Sequence, residues 1–314
     1  MRSITLKVDV DTLRGTREGV PRLAALLARL GIPATFLFSV GPDHTGRAVR
    51  RIFRRGFLSK VKRTSVASHY GISTLLYGTL LPGPDIGRLC RAEMLSVAER
   101  GFEVGVHAFD HVRWQDRVAQ ASSVWTCEQF ERAIEAFDAI FGFPPRIHGA
   151  AGWQLNRYVP LLEKGFRFEI ASDTRGFEPF MPLDGGVLQI PTTLPTLDEL
   201  VGLNGARVDD ASRRIFELSR AEGGRRDHVF TLHAELEGGA YLSQFEALLH
   251  AWRDAGFDFR TLGDTARGLD GQSLRTSRIV VGEIEGRSGT LAIQAPPNEA
   301  DGHHTGCARR GTAA

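Results

Sequence analysis

Between Ile4 and Phe259 short apolar strands alternate with amphipathic helices, and the alternation recurs six or seven times. A strand, a helix and a second strand in succession place the two strands parallel, because the helix carries the chain back across the sheet. Repeats of that unit build an α/β barrel or an open doubly wound sheet. The first unit is a strand over 4–11, a glycine-bearing loop through Gly15 and Gly19, a helix opened by Pro21 and ended by Gly31, and a strand over 34–40. Leu23, Leu26, Leu27 and Leu30 give that helix one apolar face. Further helices are expected over 85–100, 126–141 (capped by Thr126), 158–164, 209–220 and 243–254, and strands over 102–106, 168–171, 229–233 and 257–259. No Gly-x-Gly-x-x-Gly follows the first strand, which counts against a nucleotide-binding sheet and favours a barrel, complete or not.

Two segments break the rhythm. An insertion over about 44–87 carries Arg47, Arg50, Arg51, Arg54, Arg55, Lys60, Lys62 and Arg63, with no acidic residue between Asp43 and Asp85. Val49, Ile52, Phe53, Phe57, Leu58 and Val61 lie among those charges, so the segment reads as a basic amphipathic surface that meets a membrane. Beyond Leu269 the periodicity fades: 269–294 is a C-terminal extension to a barrel over 1–268, and 295–314, including His303 and His304, is a disordered tail. The formal net charge of only +2 and the lack of a binding motif argue against a nucleic-acid partner. Cys90, Cys127 and Cys307 are too few and too scattered for a disulfide framework. With a strand at the N-terminus in place of a signal peptide, and no run of 18 apolar residues, the expectation is a cytoplasmic protein without a transmembrane helix.

Three separated pieces then converge. Asp9 and Asp11 are two apart on the first strand, so both side chains point the same way. His107 and His111 follow the strand over 102–106 at i and i+4, and His233 ends the strand over 229–233. All fall at C-terminal ends of strands, where α/β barrels carry their catalytic loops. A divalent metal held by one carboxylate and two imidazoles, with a spare carboxylate and imidazole beside it, is the equipment of an amide hydrolase.

These motifs resemble the NodB-type polysaccharide deacetylase family. The fit tightens over Asp9-Val-Asp-Thr-Leu-Arg-Gly-Thr-Arg-Glu-Gly-Val-Pro-Arg22, Phe38-Ser-Val-Gly-Pro-Asp43, Ala150-Ala-Gly-Trp153, Ser172-Asp-Thr-Arg-Gly176, Gln189-Ile-Pro191 and Thr231-Leu-His-Ala-Glu-Leu-Glu-Gly238. There the chain is similar to the ArnD branch, the 4-deoxy-4-formamido-L-arabinose-phosphoundecaprenol deformylases. The resemblance implies a distorted (β/α) barrel, with Asp9 as base, Asp11, His107 and His111 as metal ligands, and His233 as acid. It implies a divalent cofactor, zinc first, with manganese or cobalt suiting the same ligands. It also implies an undecaprenyl-phosphate-linked sugar substrate, a peripheral position on the cytoplasmic face of the bacterial inner membrane through the basic insertion, and a role in lipid A modification and resistance to cationic peptides. The family's third motif carries an arginine that positions the base. Here that region reads Ala150-Ala-Gly-Trp153, so Arg175 is expected to orient Asp9 and Asp173 to tune His233. The alternatives left open are an N-deacetylase of another amino sugar or polysaccharide, and a non-catalytic membrane- or sugar-binding protein on the same fold.

Overall fold

The computed structural model describes residues 2–48, 76–221, 227–269, 274–287 and 289–296. The inner layer is a curled, mainly parallel sheet. Its strands in chain order are β1 (Arg2–Val10), β2 (Thr35–Ser39), β3 (Glu103–Ala108), β4 (Ile147–His148), β5 (Ile170–Ala171), β6 (Phe180–Pro182), β7 (Leu188–Gln189), β8 (Asp227–His233), β9 (Phe257–Arg260) and β10 (Arg275–Ser277). They pair in the order β10-β6-β7-β5-β4-β3-β2-β1-β8, and β9 pairs with the N-terminal half of β1. Among these pairings β6 with β7 is antiparallel and the rest are parallel. Past β7 the chain reaches β8 from the far side: Thr193 N–H donates to Val229 O at 3.1 Å, and the hydroxyls of Thr192 and Thr231 meet at 2.7 Å. The sheet therefore curls into a distorted barrel with irregular backbone at its seam, as the sequence leads one to expect.

Parity along β1 fixes what the barrel holds. Ile4, Leu6, Val8 and Val10 are buried in the outer core beneath the helices, together with Phe36, Phe38, Phe230 and Leu232 from the neighbouring strands. Thr5, Lys7 and Asp9 point the other way, into the barrel, which also contains the small apolar cluster of Leu37, Ile147, Ile170, Ile190, Val229 and Leu262. Each fully buried aliphatic side chain contributes roughly 1.5–3 kcal/mol. A slip of one residue would drive four of them inward and press Lys7 and Asp9 against the helices, so the register is strongly fixed.

The helices of the outer layer are α1 (Val20–Leu30), α2 (Ile86–Leu89), α3 (Arg91–Glu99), α4 (His111–Arg117), α5 (Ser123–Phe141), α6 (Val159–Gly165), α7 (Leu197–Leu200), α8 (Val208–Ser219), α9 (Leu242–Asp254) and α10 (Leu262–Arg267). Two differ from the sequence reading. The helix expected over 85–100 is broken at Cys90 into α2 and α3. The cap of α5 is Ser122, whose Oγ accepts from Trp125 N, and Thr126 lies inside the helix with its hydroxyl bonded back to Ser122 O. The C-terminal extension is ordered where described. β10 extends the sheet, and β11 (Ile279–Gly282) and β12 (Leu291–Gln294) form an antiparallel hairpin. Residues 49–75, which carry Arg50 to Arg63 of the basic insertion, lie outside the described residues, as does the tail from 297 onward.

Gly105 sits on β3 close against β4. A Cβ there would lie 2.6 Å from the Ile147 carbonyl oxygen, a backbone atom of the next strand. Gly105→Ala is expected to destabilise the protein by about 1–3 kcal/mol, read as a lowered thermal midpoint, and to displace His107 two residues on. An unchanged midpoint would show that β3 and β4 can spread without cost.

Candidate active site

The strand ends of β1, β3 and β8 bring their polar side chains to one mouth of the barrel. His107 Nε2 lies 3.3 Å from Asp11 Oδ1, and His111 Nε2 lies 3.4 Å from Asp11 Oδ2. His107 leaves β3 with its ring inward, and His111 opens α4, capped by Asp110, whose side chain accepts from Arg113 N. The two rings stack with centroids 5.4 Å apart. Burial would raise the Asp11 carboxyl, but His111, His107 and His233 hold it well below the usual carboxylate range. Burial pushes the His111 imidazole down to about 4, against the pull of Asp11. An ionised carboxylate facing a neutral imidazole is the protonation state in which such groups bind a cation. Asp9 lies beside them: its Oδ2 is 3.5 Å from Lys7 Nζ, and its Oδ1 is buried without a hydrogen bond.

His233 ends β8 on the opposite wall. Its Nδ1 lies 3.5 Å from Asp198 Oδ1, and its backbone N–H donates to Glu237 at 2.8 Å. Burial disfavours a charged ring, but Asp198, then Asp11, Glu237 and Asp9, more than reverse this and raise His233 to about 9. It therefore carries a proton at neutral pH. Glu235 braces the floor. One of its oxygens accepts from Asp11 N, Thr12 N and the Thr12 hydroxyl, which ties the loop after β1 to the loop after β8.

Asp9, Asp11, His107, His111, His233 and Asp198 line a cleft of about 380 Å³, walled further by Gln115, Trp153, Glu199 and Arg287. Thr45 and Ala48, where the basic insertion begins, reach its rim. Trp153 is fully buried and adopts φ 54°, a left-handed conformation that costs a non-glycine residue of order 1–3 kcal/mol. Three cations hold it: Lys7, Arg175 and Arg287 lie 5.3, 5.1 and 4.5 Å from the indole.

Two curated relatives match almost the whole chain. One, from Shewanella sediminis (strain HAW-EB3), is 35% identical over 294 residues, 93% of this chain and 94% of its own length. The other, from Wigglesworthia glossinidia brevipalpis, is 34% identical over 285 residues, 89% of this chain and 98% of its own. Both are described as probable 4-deoxy-4-formamido-L-arabinose-phosphoundecaprenol deformylases, ArnD. The chain belongs to the ArnD deformylase family. It is accordingly a hydrolase acting on an amide bond. No protein-family model matches it. In fold it is similar to a crystal structure from Mycobacterium smegmatis assigned as a polysaccharide deacetylase, with a TM-score of 0.62 at 16% identity over 90% of this chain and 96% of that one.

Asp11, His107 and His111 fit a divalent metal: each offers one ligand atom, all within 4.8 Å of one another, and Asp11 Oδ1 is buried without a hydrogen bond. One oxygen and two imidazole nitrogens form a borderline donor set of the kind zinc, cobalt or manganese accepts.

Two expectations for this ArnD-type site need correction. Arg175 does not orient Asp9. Its guanidinium pairs with Glu199 at 2.5 Å and donates to Leu194 O, and the cation beside Asp9 is Lys7. Lys7 could have been found from its spacing, because it shares the inward face of β1 with both aspartates. Nor does Asp173 tune His233. It turns outward, away from the cleft, to meet His148 at 3.1 Å, and the carboxylate facing His233 is Asp198. Asp198 and Arg287 carried no motif, and only the tertiary fold brings them in.

Asp173 belongs to a second buried cluster. His148 Nδ1 lies 2.6 Å from Glu163 and 3.1 Å from Asp173, and Asp173 also accepts from Ala150 N and Gln189 Nε2. Burial opposes charge on His148, but Asp173 and Glu163 raise it to about 9. Burial and the neighbouring Asp173 push Glu163 well above the usual range, so Glu163 holds a proton while His148 and Asp173 form an ion pair. Both raised groups bind protons more tightly folded than unfolded, so their contribution is fully present at low pH and is lost as pH rises. For His148 the window runs from 6.5 to about 9. The thermal midpoint is expected to fall across that window, and less steeply in Glu163→Gln, which keeps a neutral hydrogen-bonding group. Equal slopes in both proteins would refute the assignment.

Proposed function

We propose that this protein removes the N-formyl group from 4-deoxy-4-formamido-L-arabinose carried on undecaprenyl phosphate, giving formate and the free amino-sugar lipid. The observation that carries the reading is one cleft holding Asp9 braced by Lys7, the trio Asp11, His107 and His111, and His233 facing Asp198. Near-complete coverage of relatives named for that reaction supports the substrate.

A divalent metal held by Asp11, His107 and His111, zinc first, would supply Lewis acidity to the formyl oxygen and to the attacking water. Asp9 takes the water's proton as the nucleophile adds to the formyl carbon. Lys7 fixes the direction of the Asp9 carboxylate from the barrel interior, where neither side chain can turn away. His233 then donates its proton to the sugar nitrogen, since an amine leaves readily only when protonated. Asp198 keeps that proton in place until the C–N bond breaks. No helix among the described residues is long and apolar enough to cross a membrane. Access to a bilayer substrate would come from the basic insertion, whose first residues border the cleft, at the cytoplasmic face. The barrel over 1–268 would carry the chemistry, and the product would serve lipid A modification and resistance to cationic peptides.

The test is mass-spectrometric turnover by the metal-loaded protein of paired lipid-phosphate sugars bearing N-formyl or N-acetyl. Formate from the first alone is expected. Turnover of the acetyl sugar would make the protein a broader deacetylase, and turnover of neither would remove the catalytic reading. Alanine at His107 or His111 is expected to reduce bound metal itself. Asp9→Asn and His233→Ala should keep the metal and lose roughly 10²–10⁴-fold in rate. Lys7→Met should lower kcat more than it raises KM, with part of the loss restored by Lys7→Arg; a change in KM alone would place Lys7 outside the catalytic step.

A further inference from the structure

The hairpin β11–β12 is pinned to the barrel by backbone bonds, Arg175 N to Ala292 O at 3.0 Å and Gln294 N to Arg175 O at 2.7 Å. Its connecting loop enters the catalytic cleft at Gly286 and Arg287. The approach is close: a Cβ on Gly286, whose φ is +84°, would lie 2.2 Å from the Glu199 carbonyl oxygen. Only glycine allows the loop to lie flat on α7 and project the next residue inward.

Arg287 is the sole lysine or arginine among the described residues lining this cleft. Its guanidinium lies over the Trp153 ring, 4.5 Å from the centroid. Its polar contacts are long: 3.6 Å to Glu199 Oε1 and 3.4 Å to Gly152 O. Glu199 is committed elsewhere, since Oε1 receives Arg175 at 2.5 Å and Oε2 receives Thr196 N at 3.0 Å. One carboxylate thus stands between two guanidiniums, close to Arg175 and farther from Arg287. Arg287 keeps donors to spare, about a fifth of its side chain exposed to the cleft.

We propose that Arg287 is the anion-binding residue of this cleft and takes the phosphodiester that joins the formamido sugar to its lipid. A guanidinium carries its N–H donors in a planar fork, the geometry that binds two phosphate oxygens at once. The phosphate lies one pyranose ring from the formamide, so an arginine in the wall of the same cleft can hold the anion while the acyl group meets Asp9 and His233. The C-terminal extension would then supply substrate selection, and the barrel the chemistry. This rests on the deformylase reading of the same site.

The experiment compares two formamido-arabinosides, one a short-chain polyprenyl phosphodiester and one a methyl glycoside without phosphate. Full-length wild-type, Arg287→Ala and Arg287→Lys proteins are assayed after their metal content and thermal midpoints are checked. The ratio of kcat/KM for phosphodiester over methyl glycoside should fall about tenfold to a hundredfold in Arg287→Ala, mainly through KM. Arg287→Lys should recover part of the ratio, because a point charge replaces a fork. A loss shared equally by both glycosides, or no change in the ratio, overturns the phosphate assignment while leaving the deformylase reading intact. Wild-type protein that turns over neither glycoside overturns both.

Discussion

The ion pair between Lys7 and Asp9 is made inside the barrel, with both side chains essentially removed from water. Charges so placed cost several kcal/mol each unless their partners are well positioned. Here Lys7 also donates to Ser172 O at 2.9 Å and lies over Trp153, so one ammonium is shared among β1, the end of β5 and the loop after β4. Strand parity forces this arrangement. With the aliphatic face of β1 turned to the helices, the opposite face must hold Lys7 and Asp9, and the barrel has to be built around them.

The remainder of the cleft follows a similar economy. Glu235 bonds the loop after β1, Asp198 faces His233, and Glu199 joins two arginines. Each carboxylate reaches a partner from a distant segment, so the geometry of the acid–base groups depends on loops that β1, β7 and β8 hold together. Trp153 is the common surface behind them, held in a strained backbone conformation by cations on several sides.

The sequence was legible where periodicity or motif spacing carries the signal. The parallel βα rhythm predicted the barrel. Asp9, Asp11, His107, His111 and His233 do meet at one mouth, because all stand at strand ends of one sheet. Short-range inference failed where two or three residues make an element, as in β6, β7 and β10, which are too short to show a period. It failed again for Asp173 and Arg175. Both follow a strand of only two residues, and past its end nothing in the sequence tells which way a side chain turns. Arg287 was hidden for a different reason: its segment has no motif, and its place is set by a hairpin docking on residues over a hundred positions earlier. The positive charge of the insertion, by contrast, is plain in the sequence while residues 49–75 fall outside the described structure.

β1 pairs early with β2 along Lys7–Val10, but β8 on its other edge and β9 along Arg2–Thr5 are made far later in synthesis, from Asp227 and Phe257 onward. A ribosome releasing this chain at about 5–20 residues each second leaves the first strand with an open edge for about ten seconds or more. During that interval an apolar strand bearing a lysine and two aspartates has neither its closing partner nor the carboxylate of Glu235 that ties its loop. Barrel closure and active-site assembly therefore become one late event, and any factor that shields a nascent strand edge would act on the same segment that later performs the chemistry.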